Sequence, residues 1–155
     1  MKAMIHLGEP EIREQIVRRL TTVRPELRPV WGRMSAHQMI CHLSDSFQAA
    51  MGQRYASPSS GFLANPAFKW VALYAPFRWP KGVPTRPEVD QTIGGTPPGD
   101  FVRDRASLVE LIGSFTDPAR PAEFASHPLW GAMRKREWLR WGYLHTDHHL
   151  RQFGV

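Results

Sequence analysis

Proline punctuates this chain. Fourteen prolines break its 155 residues into segments, and between the breaks apolar residues recur at helical rather than strand spacing. The first predicted helix starts near Pro10, a favoured first helical position because the missing N–H would have no partner there. Glu9, Glu11 and Glu14 precede Arg18 and Arg19, the order a helix dipole favours. Ile12, Ile16 and Leu20 form its apolar stripe, and Pro25 and Pro29 end it. A second helix is predicted from an N-cap at Ser35 to about Met51, with Gly52 as its stop. A third begins at Pro66 and ends before Pro76. A fourth starts after Asp100, another good N-cap, and stops at Thr116-Asp117-Pro118. The last runs from about Lys135 to Phe153, with Gly154 beyond it. Arg134 is a poor cap for that helix, although Glu137 supplies half of a capping box.

No strand alternation, repeat or low-complexity tract interrupts this pattern. The predicted fold is all-α: about four main helices in a small bundle, with an additional short helix and long Pro/Gly-rich loops. The length suits a single domain over residues 1–155. Residues 53–63 and 117–133 read as loops. Residues 78–100 hold five prolines and four glycines, yet Trp79, Val83, Val89 and Ile93 give the segment apolar anchors. It reads as an ordered loop that wraps the domain or borders a site.

Composition closes off several classes of function. A single cysteine, Cys41, excludes an internal disulfide and a cysteine-cluster metal site. No apolar run approaches the roughly 20 residues that span a bilayer. The first residues break into charge without a signal-peptide core, so a cytoplasmic location is the expectation. The formal charge of +6 would permit an anionic partner, but the basic residues are spread along the chain, against a nucleic-acid interface.

The chemistry concentrates in histidine. Of the seven histidines, three fall within five residues of the last helix, in YLHTDHHLRQF. At about 100° per residue, Trp138, Trp141, His145 and Gln152 point the same way. The tryptophans mark that direction as the core. His148 and His149 flank it on opposite sides, and either can pair with His145 on one metal ion. Helical geometry leaves the choice between them open. A third ligand from a facing helix would complete the set, and His42 is the candidate. The competing reading is a hydrogen-bonded core network with Asp45, Ser46, Asp147 and Gln152. His127, before Pro128, reads as structural or surface, and Cys41 as a small core residue.

Two motifs carry a resemblance. One is Trp31-Gly32-Arg33-Met34-Ser35 through Gln38-Met39-Ile40-Cys41-His42-Leu43. The other is His127-Pro128, Trp130-Gly131 and Glu137-Trp138, then His145-Thr146-Asp147-His148-His149-Leu150-Arg151-Gln152-Phe153-Gly154. In these the chain resembles the DinB/YfiT-like superfamily and, within it, the DUF1569 branch. That resemblance implies a four-helix bundle holding a divalent metal, zinc or nickel, on three histidines. It places them at His42, His145 and His149, and so favours His149 over His148. It further implies transfer chemistry in which a low-molecular-weight thiol is activated on the metal, and a homodimer.

Three neutral imidazoles leave a coordination position free, the arrangement of a catalytic site. The expected activity is therefore that of a metal-dependent thiol transferase or hydrolase acting on a small molecule. A binding or scaffold protein with a structural or vestigial metal is the alternative. Asp45, one turn from His42, is the candidate base or orienting group. His37, His148 and Gln152 are candidates for supporting or substrate-binding roles.

Overall fold

A computed structural model describes residues 4–121 and 123–155. Readings that touch residues 1–3, or residue 122 in the predicted 117–133 loop, fall in part outside these. Five α-helices carry the fold: α1 (Pro10–Thr22), α2 (Ala36–Ala50), α3 (Pro66–Tyr74), α4 (Phe101–Thr116) and α5 (Lys135–Gln152). Two short 3₁₀ turns, Phe62–Ala64 and Pro87–Val89, interrupt the loops. Among the described residues there is no strand, only an isolated bridge between His127 and Gly131.

The helix starts follow the local chemistry. Ser35 accepts the Gln38 N–H at 3.1 Å while the Gln38 side chain accepts the Ser35 N–H at 2.9 Å, a complete capping box. Asn65 and Asp100 cap α3 and α4 in the same sense, with one bond each. At α5 only the Glu137 half is made, because the arginine at the cap has no acceptor: Glu137 takes the Arg134 N–H at 2.8 Å.

Helix α2 packs along α4, and α5 packs against α1, α2 and α3. The shared core holds Ile16 and Leu20 of α1, Met39, Ile40, Leu43 and Phe47 of α2, Leu108, Ile112 and Phe115 of α4, and Trp138, Trp141 and Leu150 of α5. Gly142 admits the closest approach: a Cβ there would lie 2.9 Å from Phe115, 3.0 Å from Leu7 and 3.2 Å from Phe47. Asp147 ties α5 to α1 through Arg19 at 2.7 Å and braces its own helix through Arg151 at 2.8 Å. None of the described helices is long and apolar enough to cross a membrane.

The 78–100 segment is ordered and held from beneath. Asp45, 1 % exposed on α2, accepts Gln91 Nε2 at 2.9 Å, Thr96 N–H at 2.7 Å and Thr96 Oγ1–H at 2.7 Å. Arg54 adds a 3.0 Å ion pair to the same carboxylate and donates to the Glu88 carbonyl at 3.0 Å. One buried anion thus latches the loop onto α2.

Candidate metal centre

His42 reaches inward from α2, while His145 and His149 reach inward from one face of α5. Their potential ligand atoms all lie within 4.8 Å of one another. The ring centroids are 5.1 Å apart for His42 and His145, 4.8 Å for His42 and His149, and 4.9 Å for His145 and His149. His42 is 4 % exposed; the other two are partly buried.

The hydrogen bonds around the cluster fix which nitrogens face it. His42 Nδ1 lies 2.8 Å from the Val89 carbonyl, which can only accept, so Nδ1 carries the proton and Nε2 is a lone pair. His149 Nδ1 lies 2.8 Å from Gln152 Oε1. The amide cannot turn round, because Gln152 Nε2 donates to the Trp31 carbonyl at 3.0 Å. His149 therefore also donates outward and keeps an Nε2 lone pair. Gly32 makes room for that amide: its φ is +80°, and a Cβ there would stand 2.8 Å from Gln152 Nε2.

The central distance is 3.2 Å between His42 Nε2 and His145 Nε2. Two ligands on a tetrahedral ion at about 2.0–2.1 Å stand roughly 3.3 Å apart, so the spacing fits a shared ion. A lone N–H of His145 could satisfy one of the other two lone pairs, not both; a cation satisfies all three. Burial, reinforced by the neighbouring imidazoles, holds His145 and His149 well below the usual histidine range. Burial also lowers His42, against the opposing pull of the Val89 carbonyl and Asp45. All three rings are thus neutral donors at physiological pH, as a divalent ion requires. The donor set of three imidazoles suits zinc or nickel.

The other expected site residues divide: Gln152 and His148 stand at the cluster and line the cleft, while Asp45 and His37 are engaged elsewhere. Asp45 does not orient His42, whose Nδ1 is taken by Val89, and its oxygens are occupied by the loop latch. This corrects the expectation of an orienting carboxylate: one helical turn brought it near the ligand, but the loop supplied more donors. His37 is not at the cleft mouth; it binds Asp104 at 2.8 Å and packs edge-on against Phe101. His148 lies beside the cluster, 5.3 Å from His149 and 5.7 Å from Trp31 between ring centroids, and is not one of the three convergent rings. Gln152 is in place as the group that orients His149. Cys41 is buried, with its thiol pushed up to about 12 by burial and by Asp104 and Asp45, which suits a core residue rather than a nucleophile.

The cluster forms part of the wall of a cleft of about 1420 Å³. Trp79 closes one side, 6.1 Å from His145 between centroids, and is pinned by its Nε1–H bond to the Ala72 carbonyl at 2.8 Å. Phe62, Phe77 and Tyr55 stand exposed around the cleft. Arg54 and Arg86 also line it, but both bind the protein itself: Arg54 at Asp45, Arg86 at Ser57. Two contributors were not visible in the sequence. The Val89 carbonyl is a backbone group in an aperiodic loop, and the only signal for it was the apolar anchor at that position. His127, read as structural or surface, is 8 % exposed and lines the cleft.

The fold and this cluster define a helical protein with a buried three-histidine centre at the wall of a cleft. The chain matches the model of DUF1569, a protein family of unknown function, over residues 11–154, and it belongs to that family. No curated protein and no solved structure matches it.

Proposed function

We propose that this protein is a metal-dependent enzyme that activates a small thiol or a water molecule at the three-histidine centre and acts on a small molecule held in the adjoining cleft. The observation that carries the reading is the pair of Nε2 lone pairs, on His42 and His149, turned toward the same point as His145. A bound zinc or nickel ion supplies Lewis acidity there, lowering the pKa of a thiol or water.

The chain's own residues do the rest. Val89 and Gln152 hold two of the imidazoles in the tautomer that leaves the inner nitrogen free. Trp79 forms one side of the cleft beside the cluster. The apolar cleft wall favours a substrate with an apolar portion. A bundle of the DinB type, active as a homodimer in the cytoplasm, is the assembly that accompanies this reading.

Thiol transfer and hydrolysis are separated by assay. Protein stripped with a chelator and reloaded with zinc or nickel is tested against a panel of small thiols with electrophiles, and against esters and amides. The reading predicts turnover of at least one class, lost on stripping and recovered on reloading. Turnover equal in stripped and loaded protein would contradict it. Metal binding with no turnover of either class would favour a structural or vestigial ion.

A further inference from the structure

The segment His127-Pro128-Leu129-Trp130-Gly131 closes on itself. His127 N–H donates to the Gly131 carbonyl at 2.8 Å, and Gly131 N–H returns to the His127 carbonyl at 2.9 Å. Gly131 takes φ +64° to allow it. The turn lays the His127 ring flat on Trp130, with centroids 4.3 Å apart and planes 9° apart. Trp138 and Trp141 complete the surround, at 5.5 and 5.9 Å.

The same turn fixes the tautomer. His127 Nδ1 accepts the Leu129 N–H at 3.2 Å. A neutral imidazole that accepts at Nδ1 carries its proton at Nε2. Among the described residues that Nε2 has no partner. Nor is it one of the sealed, unpartnered side-chain atoms. The residue lines the cleft, so Nε2–H is the ring group available to a ligand there. Burial, with a smaller push from Lys69, takes His127 down to about 3, so the ring stays an uncharged donor at neutral pH.

We propose that His127 is a substrate-positioning residue whose Nε2–H holds an uncharged oxygen acceptor, a carbonyl, ether or hydroxyl oxygen, of a substrate whose apolar part lies on Trp130 and along the edge of Trp141 that lines the cleft. An anion is disfavoured here, because the aromatic walls would strip its hydration and Lys69, the cation whose charge is felt at His127, is already paired with Glu137 at 3.1 Å. Trp141 bridges the two ends: its ring lies 5.9 Å from His127 and 4.9 Å from His145. A substrate held at His127 thus extends along Trp141 toward the three-histidine centre. The inference rests on the proposed function for its reacting end only; its binding end stands on the turn and the tautomer.

Acetophenone, with one carbonyl acceptor and no donor, and ethylbenzene, which lacks the carbonyl, are the probes. Their Kd values are measured by titrating the indole N–H resonances of the full chain. The variants are His127→Phe, which keeps a stacking ring, and His127→Gln, which keeps a donor near the Nε2 position. In His127→Phe the preference for acetophenone over ethylbenzene falls about 3- to 10-fold, the worth of one neutral hydrogen bond, and His127→Gln restores most of it. The ¹⁵N spectrum of the unmutated chain shows His127 protonated at Nε2, with that resonance shifted by acetophenone. A proton on Nδ1, no saturable acetophenone binding, or an unchanged preference in His127→Phe would each overturn the proposal. The titrations are run on chelator-treated and on zinc-loaded protein. Failure to bind zinc with the acetophenone preference intact sinks the metal reading and leaves this one standing.

Discussion

Gln152 joins two chains of contact: it accepts from His149 and donates to the Trp31 carbonyl. Gln152→Ala removes the acceptor that holds the ligand's tautomer. Metal affinity falls about 10- to 100-fold with little change in helicity, as for other residues that orient a ligand imidazole. Competition with a chromogenic chelator measures it, and an affinity equal to wild type would show that the amide orients nothing. At this scale the sequence was partly legible. The tryptophans of α5 marked the inward direction, so His145 followed from helical angles alone. His148 and His149 did not separate, because each stands about 50° from that direction and only the amide of Gln152 and the ring of His42 distinguish them. His127 stood in the second motif, but its place at the cleft was not legible, since a lone histidine in a turn carries no periodicity.

Helix starts and stops were the most legible elements, because each has local chemistry: Ser35 with Gln38, Asp100 with Arg103, Pro10 and Pro66 at first positions. The 78–100 loop was legible as ordered, through its apolar anchors, but not in what it does. Its attachment depends on Asp45, whose partners lie 46 and 51 residues away in the chain. Asp45→Ala leaves Gln91, Thr96 and Arg54 without their acceptor and costs about 3 kcal/mol. Hydrogen exchange then rises across residues 87–99 first, and zinc affinity drops because the Val89 carbonyl no longer braces His42. Chemical denaturation and exchange read the two effects. Exchange unchanged in that loop would show that the latch is not what holds it.

For the molecule as a whole, the buried histidines set a pH limit. His127 has a folded pKa of about 3 against an ordinary 6.5, so its contribution to stability is present above 6.5 and is lost as pH falls toward 3. Below 6.5 the unfolded chain binds protons the folded chain refuses, at about 1.4 kcal/mol per pH unit for each such group. Cys41 acts at the other end: its thiol is raised from 9.0 to about 12, so its contribution is present below 9 and lost above it. Denaturation of metal-free protein between pH 7 and 5 shows falling stability, with a shallower fall in His127→Gln. Stability that rose over that interval would contradict the neutral, buried state of these rings.

The metal centre stands or falls on nitrogen atoms of α2 and α5 sharing one ion. Elemental analysis of protein dialysed against zinc or nickel, with X-ray absorption at the metal edge, tests it most directly. The expected result is about one ion per chain with three imidazole nitrogens around it, and loss of the ion in His145→Ala with the helical spectrum retained. An ion bound equally well by a chain with His42, His145 and His149 all replaced by alanine, or an absorption spectrum without three imidazoles, would contradict it.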